Sequence, residues 1–185
     1  MENKKDLTRE FLADCFRELM LSMPFDKITI KTITDRAGLI RPTFYKHFQD
    51  KYEVLEWIFR TDIIDASDAL IENGQAYEAV VLLMKGLEKD HEFYRRALAI
   101  EGPNSFMDVL RKAVYQSFLK ISRRYPLSVK ETIPVLTDER IASFYTNGLV
   151  SVIYDWLKGN CYCTAEELGK AYQYLLLHSA IDLIS

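Results

Sequence analysis

Between positions 29 and 51 the chain concentrates side chains suited to meeting phosphates and base edges: Thr29, Arg41, Pro42, Thr43, Tyr45, Lys46, His47 and Lys51. A guanidinium at the start of a helix, as at Arg41, can pair with guanine O6 and N7, a contact worth roughly 1–3 kcal/mol of discrimination. Thr43 can touch a thymine methyl or a phosphate, while Tyr45, Lys46, His47 and Lys51 suit backbone contacts that fix position without reading sequence. Bond-making chemistry has no comparable set. There is no Walker loop, dinucleotide fingerprint or zinc-hydrolase motif, and His47, His91 and His178 fall in unrelated segments. The chain is expected not to be an enzyme and to need no cofactor.

Such side chains need a scaffold that pushes them outward, and residues 29 to 48, TIKTITDRAGLIRPTFYKHF, supply one. Thr29 caps a helix whose inner positions are Ile30, Ile33 and Ala37, and Gly38 provides the left-handed residue that stops it. A second helix starts at Ile40 or Arg41. Pro42 and Thr43 fall in its first turn, Phe44 and Phe48 turn inward four apart, and Tyr45, Lys46 and His47 stay outside. The pair reads as a helix-turn-helix, the layout that lays its second helix in the major groove of DNA. The amide ends of the helices beginning beside Thr29 and Lys51 are expected to add their dipoles at phosphates.

Periodicity makes the rest helical. Helix one is expected from about Asp6 to Leu21, with Leu7, Phe11, Cys15 and Leu19 as its stripe, Leu12, Phe16 and Met20 beside it, and Pro24 closing it. Asp50 with Glu53 forms a capping box for a long helix through Tyr52, Leu55, Ile58, Phe59, Ile63 and Leu70, ending near Asn73 and Gly74 and joining head to body. Helices over about 76–89, 90–100 and 104–125 follow, then a connection from Pro126 to Thr137. A helix from Asp138 to Lys158 precedes a terminal one, about Ala165 to Leu183, opened by a capping box at Thr164 and Glu167. The expected fold class is all-α: an N-terminal three-helix DNA-binding domain over residues 1–50 and a helical body over residues 51–185.

With 185 residues, 49% of them hydrophobic, the chain can bury a sizeable core. Its net charge of -3 divides unevenly: residues 1–52 hold ten Lys plus Arg against eight Asp plus Glu, or +2, and the remainder fourteen against nineteen, or -5. A mildly basic front on an acidic back suits a DNA-reading head carried by a body not drawn to phosphate. No stretch approaches the roughly 20 apolar residues of a membrane span, and the charged start MENKKDLTRE has no signal-type segment behind it. A cytoplasmic protein without a membrane partner is expected. Cys15, Cys161 and Cys163 make no disulfide framework, which fits a reduced compartment. The Cys161–Tyr162–Cys163 spacing matches no common zinc pattern, so no metal is expected.

The last two helices are apolar on more than one side. Ile141, Tyr145, Leu149, Val152 and Trp156 make one stripe and Phe144, Gly148, Ile153 and Leu157 another. Leu168, Tyr172, Leu175 and Ser179 repeat the pattern against Ala171, Tyr174, Leu177 and Ile181. One copy can hardly cover all of these. A homodimer packing the two helices against their counterparts as a four-helix bundle is expected, with Tyr145, Leu149, Val152, Trp156, Leu168, Tyr172 and Leu175 at the interface.

From the helix-one stripe through TIKTITDRAGLIRPTFYKHFQDKYEVLEWI, the first third resembles the tetracycline-repressor (TetR) family of bacterial transcription regulators. The likeness lies in a capped helix, the Ala-Gly turn, the Thr-Phe-Tyr-x-His-Phe segment and the following Asp-Lys. The body is similar in helix count and around Trp156, Gly159, Glu167 and Leu168, and looks most like the branch that includes dihydroxyacetone-kinase operon regulators. The resemblance implies a homodimer with two reading heads on a palindromic operator, and bodies that dimerise and enclose an effector pocket. Effector binding would shift the spacing of heads matched to major grooves about 34 Å apart, relieving repression. One position departs from the family: Ile40 stands where a Ser or Thr cap is common. A lost cap costs about 0.5–2 kcal/mol, so operator affinity is expected to be modest, unless Ile40 makes an apolar base contact.

A pocket lined by Trp57, Phe59, Phe93, Tyr94, Phe106, Tyr115, Phe118 and Tyr145 would suit a flat or cationic organic effector. Asp62, Asp65 and Asp155 are candidates to orient a cation. The leading expectation is a repressor released by a small molecule. The alternative is a co-regulator or activator whose effector is a partner protein, which calls for no sizeable internal pocket and an exposed apolar patch on the body.

Overall fold

A computed structural model describes residues 2–124 and 133–178, and these are helical, without strands. The head comprises α1 (Glu2–Ser22), a 3-10 turn (Phe25–Lys27), α2 (Ile30–Ala37) and α3 (Arg41–Tyr45). The connecting rod runs as α4 (Lys51–Phe59), a π-helical stretch (Arg60–Ile64) and α5 (Asp65–Glu72). The body follows as α6 (Ala76–Lys89), α7 (His91–Ala97), α8 (Phe106–Arg124), α9 (Asp138–Lys158) and α10 (Ala165–Leu177). Pro126, at the start of the expected connection, and the expected end of the terminal helix, with Ser179, Ile181 and Leu183, lie outside the described residues.

Helix one is rotated from its expected setting. Its inward side is Leu12, Ala13, Cys15, Phe16, Leu19 and Met20, all buried, so the second half of the expected stripe faces inward whereas Leu7 is 58% and Phe11 50% exposed. The inner position one turn before Ala13 is taken by Arg9, whose guanidinium lies 4.9 Å from the Phe48 ring and 5.4 Å from that of Trp57. The aliphatic stem covers the rings while the charge reaches Glu53 at 3.5 Å, so an arginine fills a place the hydrophobic pattern gave to leucine. At the other end, Asn104 adopts φ +65° and α8 starts at Phe106, two residues later than expected.

Head and body share one core. Phe16 of α1 meets Phe25 edge-on at 6.3 Å and Phe93 of α7 at 6.5 Å, and the buried cluster continues unbroken to Leu168 and Tyr172 of α10. In the body α8 packs along α9, and α6 along both α5 and α10. The rod is not a uniform α-helix. In its π stretch the Asp65 N–H reaches back to the Arg60 carbonyl, inserting an extra residue into one turn. Gly86 is what lets α6 close on this bulge, since a β-carbon there would lie 2.6 Å from Cγ1 of Ile63.

Candidate nucleic-acid interface

The reading surface is built by two stops and two anchors. Thr29 and Thr32 cap α2 reciprocally: Thr32 N donates to Thr29 Oγ1 at 3.1 Å and Thr29 N to Thr32 Oγ1 at 2.9 Å. Gly38, at φ +63°, turns the chain, and the Leu39 N–H returns to the Thr34 carbonyl at 2.9 Å. Phe44 and Phe48 are buried, their rings 5.7 Å apart, and they fix α3 from beneath. Arg41, Pro42, Tyr45 and Lys46 are thereby exposed together, with Thr43 and His47 half-buried and Thr29 exposed at the start of α2. The helical part is shorter than expected, because Lys46 is already the cap and the Phe48 N–H closes on the Phe44 carbonyl.

Lys51 is a correction. Expected at a phosphate, its Nζ instead donates to the carbonyls of Phe25 at 2.7 Å and Ile28 at 3.0 Å and lies 3.9 Å from the Phe25 ring centroid. Burial pulls its pKa below the ordinary lysine value. The ammonium ties the 3-10 turn to α4 from within the head. The neighbouring amides are also taken: Asp50 Oδ1 accepts from Tyr52 N at 2.8 Å and Glu53 N at 2.9 Å. The Glu53 carboxylate reaches Gln49 N at 2.6 Å instead of closing the box on Asp50. A carboxylate seated on the start of α4 thus occupies two of its first amides.

Sequence reasoning missed Arg17. Its guanidinium bridges Asp62 at 2.5 Å, in the π stretch, and Asp90 at 3.0 Å, where α6 meets α7, and lies 5.0 Å from the Phe93 ring centroid. Asp62, a candidate cation-orienting residue, thus holds the head to the body. Arg96 of α7 adds a bond from Nη1 to the Met20 carbonyl at 3.1 Å. The signal was present, since Arg9, Ala13, Phe16 and Met20 share helical spacing and Arg17 flanks that face.

The aromatic pocket is corrected in part. Phe59, Phe93, Tyr94 and Phe106 are each at most 2% exposed, with Phe59–Phe106 and Tyr94–Phe106 centroids both 5.3 Å apart. They fill the core rather than enclose a cavity, although Phe59 reaches the floor of an open cleft of about 290 Å³ beside Arg60 and Lys112, and burial drives the Tyr94 phenol far above its usual pKa. Trp57 borders an open, polar cleft of about 530 Å³ in the seam between head and body, with Arg9, Glu56 and Arg60. Tyr115 borders a shallow cleft with Arg111 and Asn147. Phe118 and Tyr145 stack at 5.6 Å and border an open apolar groove of about 390 Å³ with Tyr77, Tyr172, Leu176 and Leu177.

The expected dimer residues divide likewise. Leu149, Trp156, Leu168 and Tyr172 are no more than 5% exposed within one copy, because they face α6 to α8, and the Trp156 indole donates to the Cys163 carbonyl at 2.8 Å. Burial raises the Tyr172 phenol to about 12. Tyr145 and Val152 are half-buried and Leu175 is 52% exposed. The second stripe also divides: Ile153 and Leu157 are buried, and the uncovered positions are Phe144 at 74% exposure and Gly148 on α9, with Tyr174 at 53% beside Leu175 on α10. Among the described residues no group of three His, Cys, Asp or Glu is placed to hold a metal, and no helix is long and apolar enough to cross a membrane.

A helix-turn-helix head whose second helix stands clear on buried phenylalanines, joined by a rod to an all-α body, defines a DNA-binding transcription regulator. Residues 17–58 match the family model for bacterial regulatory proteins of the tetR family, and residues 74–177 match a transcriptional regulator C-terminal region. The chain belongs to the TetR family of transcriptional regulators, whose members bind operator DNA. It is 30% identical over 101 residues to the HTH-type dhaKLM operon transcriptional activator DhaS of Lactococcus lactis subsp. lactis (strain IL1403), a match over 53% of this chain and 52% of the relative. The chain thus spans about half the length of the curated relative it matches. Among solved structures it is similar to dihydroxyacetone kinase operon activator DhaS, with TM-score 0.65 and 22% identity over 96% of this chain and 97% of that one. A TetR transcriptional regulator from Streptococcus agalactiae 2603V has TM-score 0.63 and 20% identity over 95% and 96%. These likenesses bear on fold.

Proposed function

We propose that the chain is a dimeric, sequence-specific regulator that places two copies of α3 in successive major grooves of a palindromic operator. The observation that carries this reading is the exposure of Arg41, Tyr45 and Lys46 side by side above buried Phe44 and Phe48. Arg41 takes a guanine, and Tyr45, Lys46, His47 and Thr29 hold the backbone. The second copy covers Phe144, Gly148, Tyr174 and Leu175, an apolar face at the end of the molecule remote in sequence from the head. At Gly148 a β-carbon would meet nothing within 4 Å, so another backbone can approach closely there. Selection of bound duplexes from a random pool tests this. The expected product is an inverted repeat with half-site centres about one helical turn apart. A pool that stays random after selection would remove the reading.

A second reading concerns the effector. The packing of Phe59, Phe93, Tyr94 and Phe106 into a solid cluster, the open form of the groove beside Phe118 and the exposed Leu176 and Leu177 favour a partner protein docking on the body over an enclosed small molecule. The similarity to a relative named as an operon activator favours activation over repression. In vitro transcription from the selected operator separates the signs: activation predicts more transcript when the protein is added, and repression less.

A further inference from the structure

We propose that Ile40 is a base-reading residue that recognises the 5-methyl group of a thymine, next to the base pair contacted by Arg41. The inference rests on the DNA-binding reading above and deepens it.

Ile40 holds the cap position of α3 at φ -96°, ψ 150°, and its side chain makes no capping hydrogen bond. Ser, Thr, Asp or Asn there would accept from an amide of the first turn, so isoleucine is a poor choice for helix stability. Nor does it serve the core. It is 68% exposed, whereas Leu39, its neighbour, is half-buried and packs against the core. Among the described residues from α2 through α3, the exposed large apolar side chains are Ile40 and Tyr45. A residue that neither caps nor packs, on the element that faces DNA, is explained by what it meets there.

Its chemistry narrows the choice. An sec-butyl side chain has no donor and no acceptor, so it can neither hold a phosphate nor bond to a base edge. In the major groove the apolar group offered by a standard base pair is the thymine methyl. The backbone presents it firmly: Leu39 N is bonded to Thr34 O at 2.9 Å and Thr43 N to Ile40 O at 2.9 Å, locking the chain on both sides. Branching at Cβ restricts χ1, so little side-chain freedom is lost on docking. Arg41 follows directly and is exposed on the same corner, so the proposed methyl contact falls beside the proposed guanine contact.

The test uses the full-length protein and its selected operator. Each thymine is replaced in turn by deoxyuridine, which removes the methyl and leaves pairing unchanged, and binding is measured at one salt concentration. At a single symmetric pair of positions, uracil should weaken wild-type binding about 4-fold per half-site, the factor for roughly one buried methyl. In Ile40→Ala, thymine and uracil duplexes should bind equally, and Ile40→Ser, which restores a cap, should also be indifferent while folding normally. A uracil penalty that persists in both variants assigns the methyl to another residue, such as Thr43, and overturns the proposal. So does the absence of any penalty, or a selected site without a thymine beside the Arg41 guanine. Failure to bind any duplex is a different result: it sinks the DNA-binding reading itself.

Discussion

Arg41, Lys46 and Lys51 carry the same formal charge, and the proposed reading gives them different jobs, which separate in one binding experiment. Arg41→Ala should relax preference at a symmetric pair of operator positions, lowering discrimination by about 10- to 100-fold, as expected for a lost bidentate guanine contact. Lys46→Ala should weaken binding to all duplexes alike and reduce the salt slope by roughly one unit per head. Lys51→Met should leave that slope unchanged. It removes the donor to the Phe25 and Ile28 carbonyls, so its effect belongs in thermal denaturation, a loss of about 1–3 kcal/mol. A flattened salt dependence for Lys51→Met would return it to the phosphate backbone. At Cys161, burial and, secondarily, nearby Glu88 raise the thiol to about 11, above the ordinary value of about 8.5. Alkylation at pH 8 should therefore run on the order of 10²-fold slower than for a free cysteine and accelerate as pH rises toward 11. Fast alkylation at pH 8 would show a more open turn.

Between elements, the Arg17 clamp is the testable joint. Replacing Arg17 by Met leaves Asp62 and Asp90 facing one another without their cation and should cost about 1–2 kcal/mol, modest because all the partners keep some solvent. Gly86→Ala should cost about 1–3 kcal/mol by pressing α6 off the π stretch, read by chemical denaturation. The order of helices and both outer caps were legible in the chain: Thr29 and Gly38 bracket α2, and Thr164 with Glu167 opens α10 as a reciprocal box. The head residues were legible too, because corner, anchors and outward side all follow from local spacing. What was not legible came from distant neighbours. Nothing local says that Lys51 turns toward residues 25 and 28, or that the rod carries a π turn. For the same reason an aromatic-rich body could be read either as cavity wall or as filling; only packing decides.

For the whole molecule, the division of α9 and α10 into a covered and an open side underlies the proposed dimer. Leu149, Trp156 and Tyr172 belong to the fold of one copy, so Trp156→Ala should lower stability by about 3–5 kcal/mol without selectively dissociating a dimer. Phe144→Glu should do the reverse, giving folded monomers in sedimentation while the melting of a single copy is little changed. Dimers that survive Phe144→Glu would place the contact elsewhere.

The two tryptophans stand in different settings, Trp57 in α4 and Trp156 in α9. Trp156 is sealed beneath the α9–α10 face with its indole N–H satisfied, while Trp57 lies in the seam under the Arg9 guanidinium. A swing of the head that pulls α1 from the rod would lift that cation off the ring and admit solvent, changing emission from Trp57 alone. If effector binding shifts the heads in this way, Trp57 would act as an intrinsic optical gauge of the shift with a shielded internal reference, and Trp57→Phe would silence the gauge while leaving the reference lit.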